Sequence, residues 1–311
     1  MIDLERVSKS YGPVPALRDI SFHVGERETV GLLGRNGAGK TTLLNIMTGY
    51  FPPNEGRVTI GGRDMLREAA ACKRMIGYLP EKPPLYDEMT TESYLRFVCS
   101  LREVRKQAIP DHVAEILSLC GLEEVRGRVL GHLSKGYRQR AGIAQALCGA
   151  PEILIFDEPT VGLDPKQTVE IRELIRKLSD EHTVIFSSHI LSEVQQACSR
   201  VIILNEGRIA LDYDARRPQS PIMRIRLKIG GKQETVLNRL RHLDGILTAE
   251  ALPEEESGTV SARVEIARGR DSGEATDRLF RVLAESGLAV RLFREEKEDL
   301  EEVFLQAVGG S

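Results

Sequence analysis

The chain reads as an α/β protein with a mixed, mainly parallel sheet, followed by a small α+β domain. Three observations carry that expectation. An apolar run, Thr29-Val30-Gly31-Leu32-Leu33, passes through the glycine-rich stretch GRNGAGKTT into the helix-patterned TTLLNIMTG, a strand, loop and helix in immediate succession. From residue 151 to 205 strand and helix patterns alternate, which argues for an open parallel sheet with ligands at its C-terminal strand ends. Beyond residue 222 the order becomes βαββαβ, the order of a ferredoxin-like sandwich.

In chain order, residues 2–7 and 20–24 alternate like antiparallel strands, with Tyr11 in the turn between them. After the glycine loop and its helix, EGRVTIGGRDM reads as a strand and turn. IGYLPEKPPLY, 76–86, is a strand running into a Pro-rich segment that cannot be helical. Residues 90–105 and 111–120 are amphipathic helices of an inserted helical subdomain spanning about 88–150. LSKGYRQR, 133–140, leads into the small-residue helix AGIAQALCG, with Ser134 placed as an N-cap. PEILIFDEP is a continuous apolar strand, covered on both faces, that ends in two carboxylates. Residues 166–181 and 192–199 are helices, and 183–187 and 200–205 strands. The Pro-containing, apolar-poor stretch 212–221 reads as a linker between domains at 1–211 and 222–311. Strands at 223–229, 245–252, 259–267 and 288–294 and helices at 234–242 and 273–286 follow. An acidic helix at 297–307 closes the chain, with Leu300, Val303 and Phe304 on a docking face.

Composition narrows the partners. The net charge of −3 and the absence of a basic stripe exclude an obvious nucleic-acid surface. Five scattered cysteines without C-x-x-C spacing read as reduced thiols in a cytoplasmic setting. No apolar stretch approaches the roughly 20 residues a membrane span requires. A protein of this kind that serves a membrane does so through another chain.

The chemistry centres on Gly34 to Thr42. Backbone N–H groups of such a loop converge on an anion, and the helix that follows adds its positive end. Lys40 would neutralise β and γ phosphate oxygens, and Thr41 would offer its hydroxyl to Mg²⁺. Asp157 and Glu158 end the LIF strand, in position for Asp157 to hold Mg²⁺ directly or through water and for Glu158 to polarise the attacking water. His189, at the end of IFSSH, would contact the γ phosphate or its water. Tyr11 would stack on an adenine or pack locally.

Taken together these residues resemble the ATP-binding subunits of ABC transporters, over 1 to about 212 and in the family's order. GRNGAGKTT is similar to the Walker A loop, LSKGYRQR to the ABC signature, ILIFDE to the Walker B strand, Gly162 to Asp164 to the D-loop, His189 to the switch histidine and Tyr11 to the adenine-stacking aromatic. The resemblance implies a P-loop NTPase cassette with a mixed sheet core, an antiparallel β subdomain and the inserted helices. It implies ATP and Mg²⁺ as cofactors, with Gly34, Asn36, Gly37, Ala38, Gly39, Lys40, Thr41 and Thr42 around the phosphates. It further implies that Ser134 and Gly136 reach the γ phosphate held by a second ATP-binding subunit, in a head-to-tail dimer.

Two motifs depart from the family's usual pattern. Lys135 and Tyr137 alter the signature, and Glu81 occupies the place of the Q-loop glutamine, where a carboxylate still reaches Mg²⁺ or water but adds charge. Both changes, and the tail DLEEVFLQAVG, resemble exporter-type subunits whose membrane half is a separate chain. The implied protein is an ATPase at the inner face of the membrane, driving an integral-membrane permease that docks near 81–89. The alternative is a soluble ABC ATPase working on a ribosome or nucleic acid. One cassette without sustained heptads or a basic stripe weighs against it.

Overall fold

The computed structural model describes residues 1–214, 222–253, 258–267 and 272–296. They form two compact units whose boundary falls between 214 and 222.

The first unit begins with β1 (Ile2–Tyr11) and β2 (Val14–Val24), paired antiparallel from Ile2 with Val24 to Tyr11 with Val14. Both strands are longer than their alternation suggests, because bulges between Leu4 and Ser10 interrupt the period. Tyr11 is consequently the last residue of a strand and not a turn residue. β3 (Thr29–Leu33) is wholly buried and delivers the chain to α1 (Lys40–Met47). β4 (Glu55–Ile60) and β5 (Arg63–Asp64) complete an antiparallel sheet in the order β2-β1-β4-β5. α2 (Ala69–Arg74) leads to β6 (Ile76–Leu79).

The helical insertion holds α3 (Thr91–Leu101), capped by Thr90 whose hydroxyl accepts from Ser93 N, and α4 (Ile109–Leu119), with proline in its first turn. α5 (Lys135–Leu147) starts directly after its cap Ser134, so the LSKGYRQR segment is itself the helix's opening turns. β7 (Ile153–Phe156), α6 (Pro165–Leu178), β8 (Thr183–Ser188), α7 (Leu191–Ala197), β9 (Arg200–Asn205) and β10 (Arg208–Asp214) follow.

The second sheet runs β10-β9-β3-β8-β7-β6, parallel throughout except at the β10 edge. Asp212 to Asp214 belong to that edge strand. The linker expected to start at 212 therefore starts later, because Asp212 pairs with Arg200 at 2.6 Å and the strand ladder continues to Asp214.

The second unit contains β11 (Ile222–Gly230), α8 (Gln233–Arg241), β12 (Ile246–Ala251), β13 (Thr259–Ala267), α9 (Ser272–Glu285) and β14 (Ala289–Glu296). Its antiparallel order, β12-β13-β11-β14, is that of a ferredoxin-like sandwich. Alternate β11 residues Met223, Ile225, Leu227 and Ile229 share one core with Val236 and Leu240 of α8 and Leu279 and Leu283 of α9. The acidic helix expected at 297–307, with Leu300, Val303 and Phe304, lies outside the described residues.

Candidate nucleotide site

Parallel pairing of β6, β7, β8 and β3 brings four C-terminal strand ends side by side. Each end releases chemistry: Glu81 follows β6, Asp157 and Glu158 follow β7, His189 follows β8, and Gly34 follows β3. Loops at this edge surround a ligand because the strands point their carboxyl ends at it.

The loop after β3 tolerates only small residues at its tightest points. Gly39 caps α1 at φ 105°, and a Cβ there would lie 2.6 Å from Ala16 O. A Cβ on Gly34 would lie 2.6 Å from Leu204 O. Lys40 folds back over the loop, donating from Nζ to Gly34 O at 2.7 Å and to Arg35 O at 3.4 Å. It is 7% exposed and meets Glu158 Oε1 at 3.3 Å.

Glu158 holds a backbone φ of 48°, a region a non-glycine residue occupies at a cost of about 1 kcal/mol or more. Its other oxygen accepts from or faces His189 Nδ1 at 2.8 Å. Asp157 is 1% exposed; Ser187 Oγ donates to its Oδ1 at 2.6 Å, and Oδ2 is buried without a hydrogen-bond partner among the described residues. Burial first, and then the Asp157 charge, push the Tyr78 phenol above its ordinary range. It stays protonated and donates to Asn45 Oδ1 at 3.2 Å.

A cleft of about 380 Å³ gathers Asn36, Gly37, Gly39, Lys40, Thr41, Thr42, Glu81, Glu158 and His189. Gly34 and Ala38 complete the loop behind it, Gly34 through the carbonyl that holds Lys40. Thr41 and Glu81 also line an adjoining groove together with Asp157. A hard divalent cation takes oxygen ligands, and the orphaned Asp157 Oδ2 with the Thr41 hydroxyl and the Glu81 carboxylate nearby is a donor set that fits Mg²⁺.

Three more expected residues line neither the cleft nor the adjoining groove. Tyr11 is half-exposed and sets its ring edge-on to Phe51, with centroids 6.0 Å apart. Ser134 and Gly136 sit at the start of α5, where the Ser134 hydroxyl accepts from Tyr137 N and the Gln167 side chain crowds Gly136. Residues that the motifs did not single out also line the cleft: Ala16, Arg35 and Val161. Behind the residues that line it, Thr160 Oγ1 and Ser188 Oγ both donate to Glu193 Oε2 at 2.8 Å. A signal for the serines was present in the pair that directly precedes His189 at the end of a buried strand.

A phosphate loop between β3 and α1, with a carboxylate pair and a histidine on the neighbouring strands, defines a nucleoside triphosphatase of the P-loop class. The model of the ABC transporter family matches residues 17–161. Over 310 residues the chain is 33% identical to the ABC transporter ATP-binding protein YxlF of Bacillus subtilis, covering 99% of both chains. It is 31% identical to the bacitracin transport ATP-binding protein BcrA of Bacillus licheniformis, covering 98% of this chain and 96% of that one. Among solved structures, the dimeric ABC transporter cassette MJ0796 superimposes with a TM-score of 0.65 at 27% identity, over 70% of this chain and all of that one. The same cassette is known as a dimer in a post-hydrolysis state bound to ADP and Pi. The chain belongs to the ABC transporter ATP-binding proteins, and it hydrolyses ATP to ADP and phosphate.

Proposed function

We propose that two copies of this chain close head to tail on two ATP molecules and reopen on hydrolysis, and that the cycle drives export through a separate integral-membrane permease. The observation that carries this reading is the separation of parts. Lys40, Glu158 and His189 share one cleft, whereas Ser134 and Gly136 stand apart from it on α5. A site that lacks its signature serine and glycine within one subunit would be completed by another, and the similar cassette MJ0796 is a dimer. Thr41, Asp157 and Glu81 would hold Mg²⁺, which when bound neutralises charge on the β and γ phosphate oxygens. Glu158 takes a proton from the attacking water, and His189, 2.8 Å away, keeps that carboxylate oriented.

For the permease, the groove beside the cleft offers the fitting surface. Tyr50, Pro80, Lys82, Pro84 and Leu101 line it, and Glu81 and Thr41 belong to both groove and cleft. Tyr86 is half-exposed beside it and Leu101 two-thirds exposed. No helix among the described residues is long and apolar enough to cross a membrane. The subunit would sit at the inner membrane face by gripping the permease. The relative BcrA is likewise an ATP-binding protein of transport.

The test is a pull-down from detergent-solubilised membranes with the wild-type chain, Tyr86→Asp and Leu101→Asp. Wild type is expected to bring down an integral-membrane protein. Each variant is expected to lose it while still binding ATP in isolation. Recovery of ribosomal components in its place would overturn the transport reading.

A further inference from the structure

Ser187 is the last but one residue of β8, fully buried, two residues before His189. Nothing in its burial alone requires a hydroxyl, since the residues that precede it along the strand, Val184, Ile185 and Phe186, are buried and apolar. Its Oγ nevertheless ties together the two residues that follow β7, the carboxylate of Asp157 and the backbone of Glu158. The backbone N–H of Glu158 donates to Oγ at 2.8 Å, and Oγ donates its only proton to Asp157 Oδ1 at 2.6 Å.

Two consequences follow from that geometry. The bond from its N–H steadies Glu158 in a left-handed backbone conformation, φ 48°, that turns its carboxylate toward Lys40 and His189. The bond to Oδ1 fixes the rotation of the Asp157 carboxylate, which leaves Oδ2 as the oxygen without a donor among the described residues. A carboxylate held through one oxygen presents the other to a cation in a set direction, and partners of this kind govern metal affinity although they never touch the metal.

We propose that Ser187 is the positioning residue of the reaction, aiming Asp157 Oδ2 at the nucleotide-bound cation and Glu158 at the attacking water. This rests on the reading above that Asp157 serves the Mg²⁺. With Ser187→Ala, Asp157 loses its fixed donor and Glu158 the acceptor for its N–H. The nucleotide loop, Gly34 to Thr42, is untouched.

The experiment measures binding of a fluorescent ATP analogue to the full-length chain, with Mg²⁺ and with EDTA, alongside turnover and melting temperature. Ser187→Ala is expected to bind the analogue in EDTA like wild type. Its gain in affinity from Mg²⁺, and its turnover, are expected to fall about tenfold. Ser187→Thr, which keeps the hydroxyl, is expected to recover most of both. Ser187→Ala with a wild-type Mg²⁺ gain overturns the proposal. So does an equal loss of affinity with and without Mg²⁺, the mark of a merely structural role. Asp157→Asn separates the two readings: if it lowers the Mg²⁺ gain and Ser187→Ala does not, only the Ser187 proposal fails. If Asp157→Asn also keeps the wild-type gain, the metal assignment fails and the proposal with it.

Discussion

Lys40 Nζ lies 3.3 Å from Glu158 Oε1, with neither side chain more than 10% exposed. The cation that faces phosphate and the carboxylate that faces water are thus in mutual contact, and changing one alters the electrostatics of the other. Replacing Glu158 by Gln removes a negative charge beside the phosphates and leaves Lys40 its full charge for them. Glu158→Gln is expected to bind ATP at least as well as wild type while turnover falls about 10²-fold or more. Held closed, it should elute as a dimer in ATP. Lys40→Ala is expected to lose ATP binding. Equal turnover in Glu158→Gln and wild type would assign the base to another residue.

Shared sites make a distinctive prediction for mixed dimers. Lys40→Ala disables the cleft of its own subunit, and Ser134→Ala disables the signature it lends to its partner. Each alone should be inactive. Mixed in equal amounts, half the dimers pair an intact cleft with an intact signature at one of their two sites, so about a quarter of the wild-type rate should return. Ser134 also caps α5, so Ser134→Ala should cost about 1 kcal/mol of stability, and the assay belongs below its melting temperature. Recovery requires that one bound ATP close the mixed dimer; no recovery would mean that each subunit completes its own site or that closure needs ATP in both clefts.

Glu193 supports the site from below. It is 7% exposed, and its Oε2 accepts from Thr160, in the loop after β7, and from Ser188, at the end of β8. Those two segments also carry Glu158 and His189. Thr160→Val, Glu193→Ala and the double variant should show a coupling of about 0.5–3 kcal/mol in turnover, because both changes break one bond. Strict additivity would show that Thr160 and Glu193 act separately.

Much of this arrangement was legible in the sequence, and the reasons differ by element. The phosphate loop could be read because glycine, lysine and threonine occupy fixed places between an apolar strand and a helix. Asp157 and Glu158 could be placed because a strand buried on both faces reads as an uninterrupted apolar run with an abrupt polar end. The sandwich of β11 to β14 followed from the βαββαβ order of the strand and helix patterns beyond residue 222. The extent of β1 and β2 was hidden by bulges, which break the two-residue period. The end of β10 was hidden by acids that pattern like a linker but pair with Arg200. Ser187 and Glu193 were hidden because Asp157, Glu158 and Thr160, 29 to 33 residues away, meet them only through parallel strand pairing.

The helical insertion should respond to acid in a defined way. Glu92, in the first turn of α3, accepts two bonds from Arg96 through Oε1 and two from Arg126 through Oε2, all between 2.8 and 3.0 Å. Arg96 first, and then Arg126, hold its carboxyl below the usual 4.5. A carboxylate lowered by folding contributes stability that is fully present above its unfolded value and is lost as pH falls through the folded one. Glu92→Gln should therefore destabilise the chain at pH 7 and match wild type once the pH lies below the lowered folded value, where the Glu92 carboxyl is protonated in both the folded and the unfolded chain. Both arginines are more than 40% exposed, so solvent screening limits the effect to about 1 kcal/mol. In a cassette of this size that corresponds to a fall of about 2–4 °C in melting temperature. A difference between the two proteins that stays constant from pH 7 to pH 3 would place the effect in packing rather than in charge.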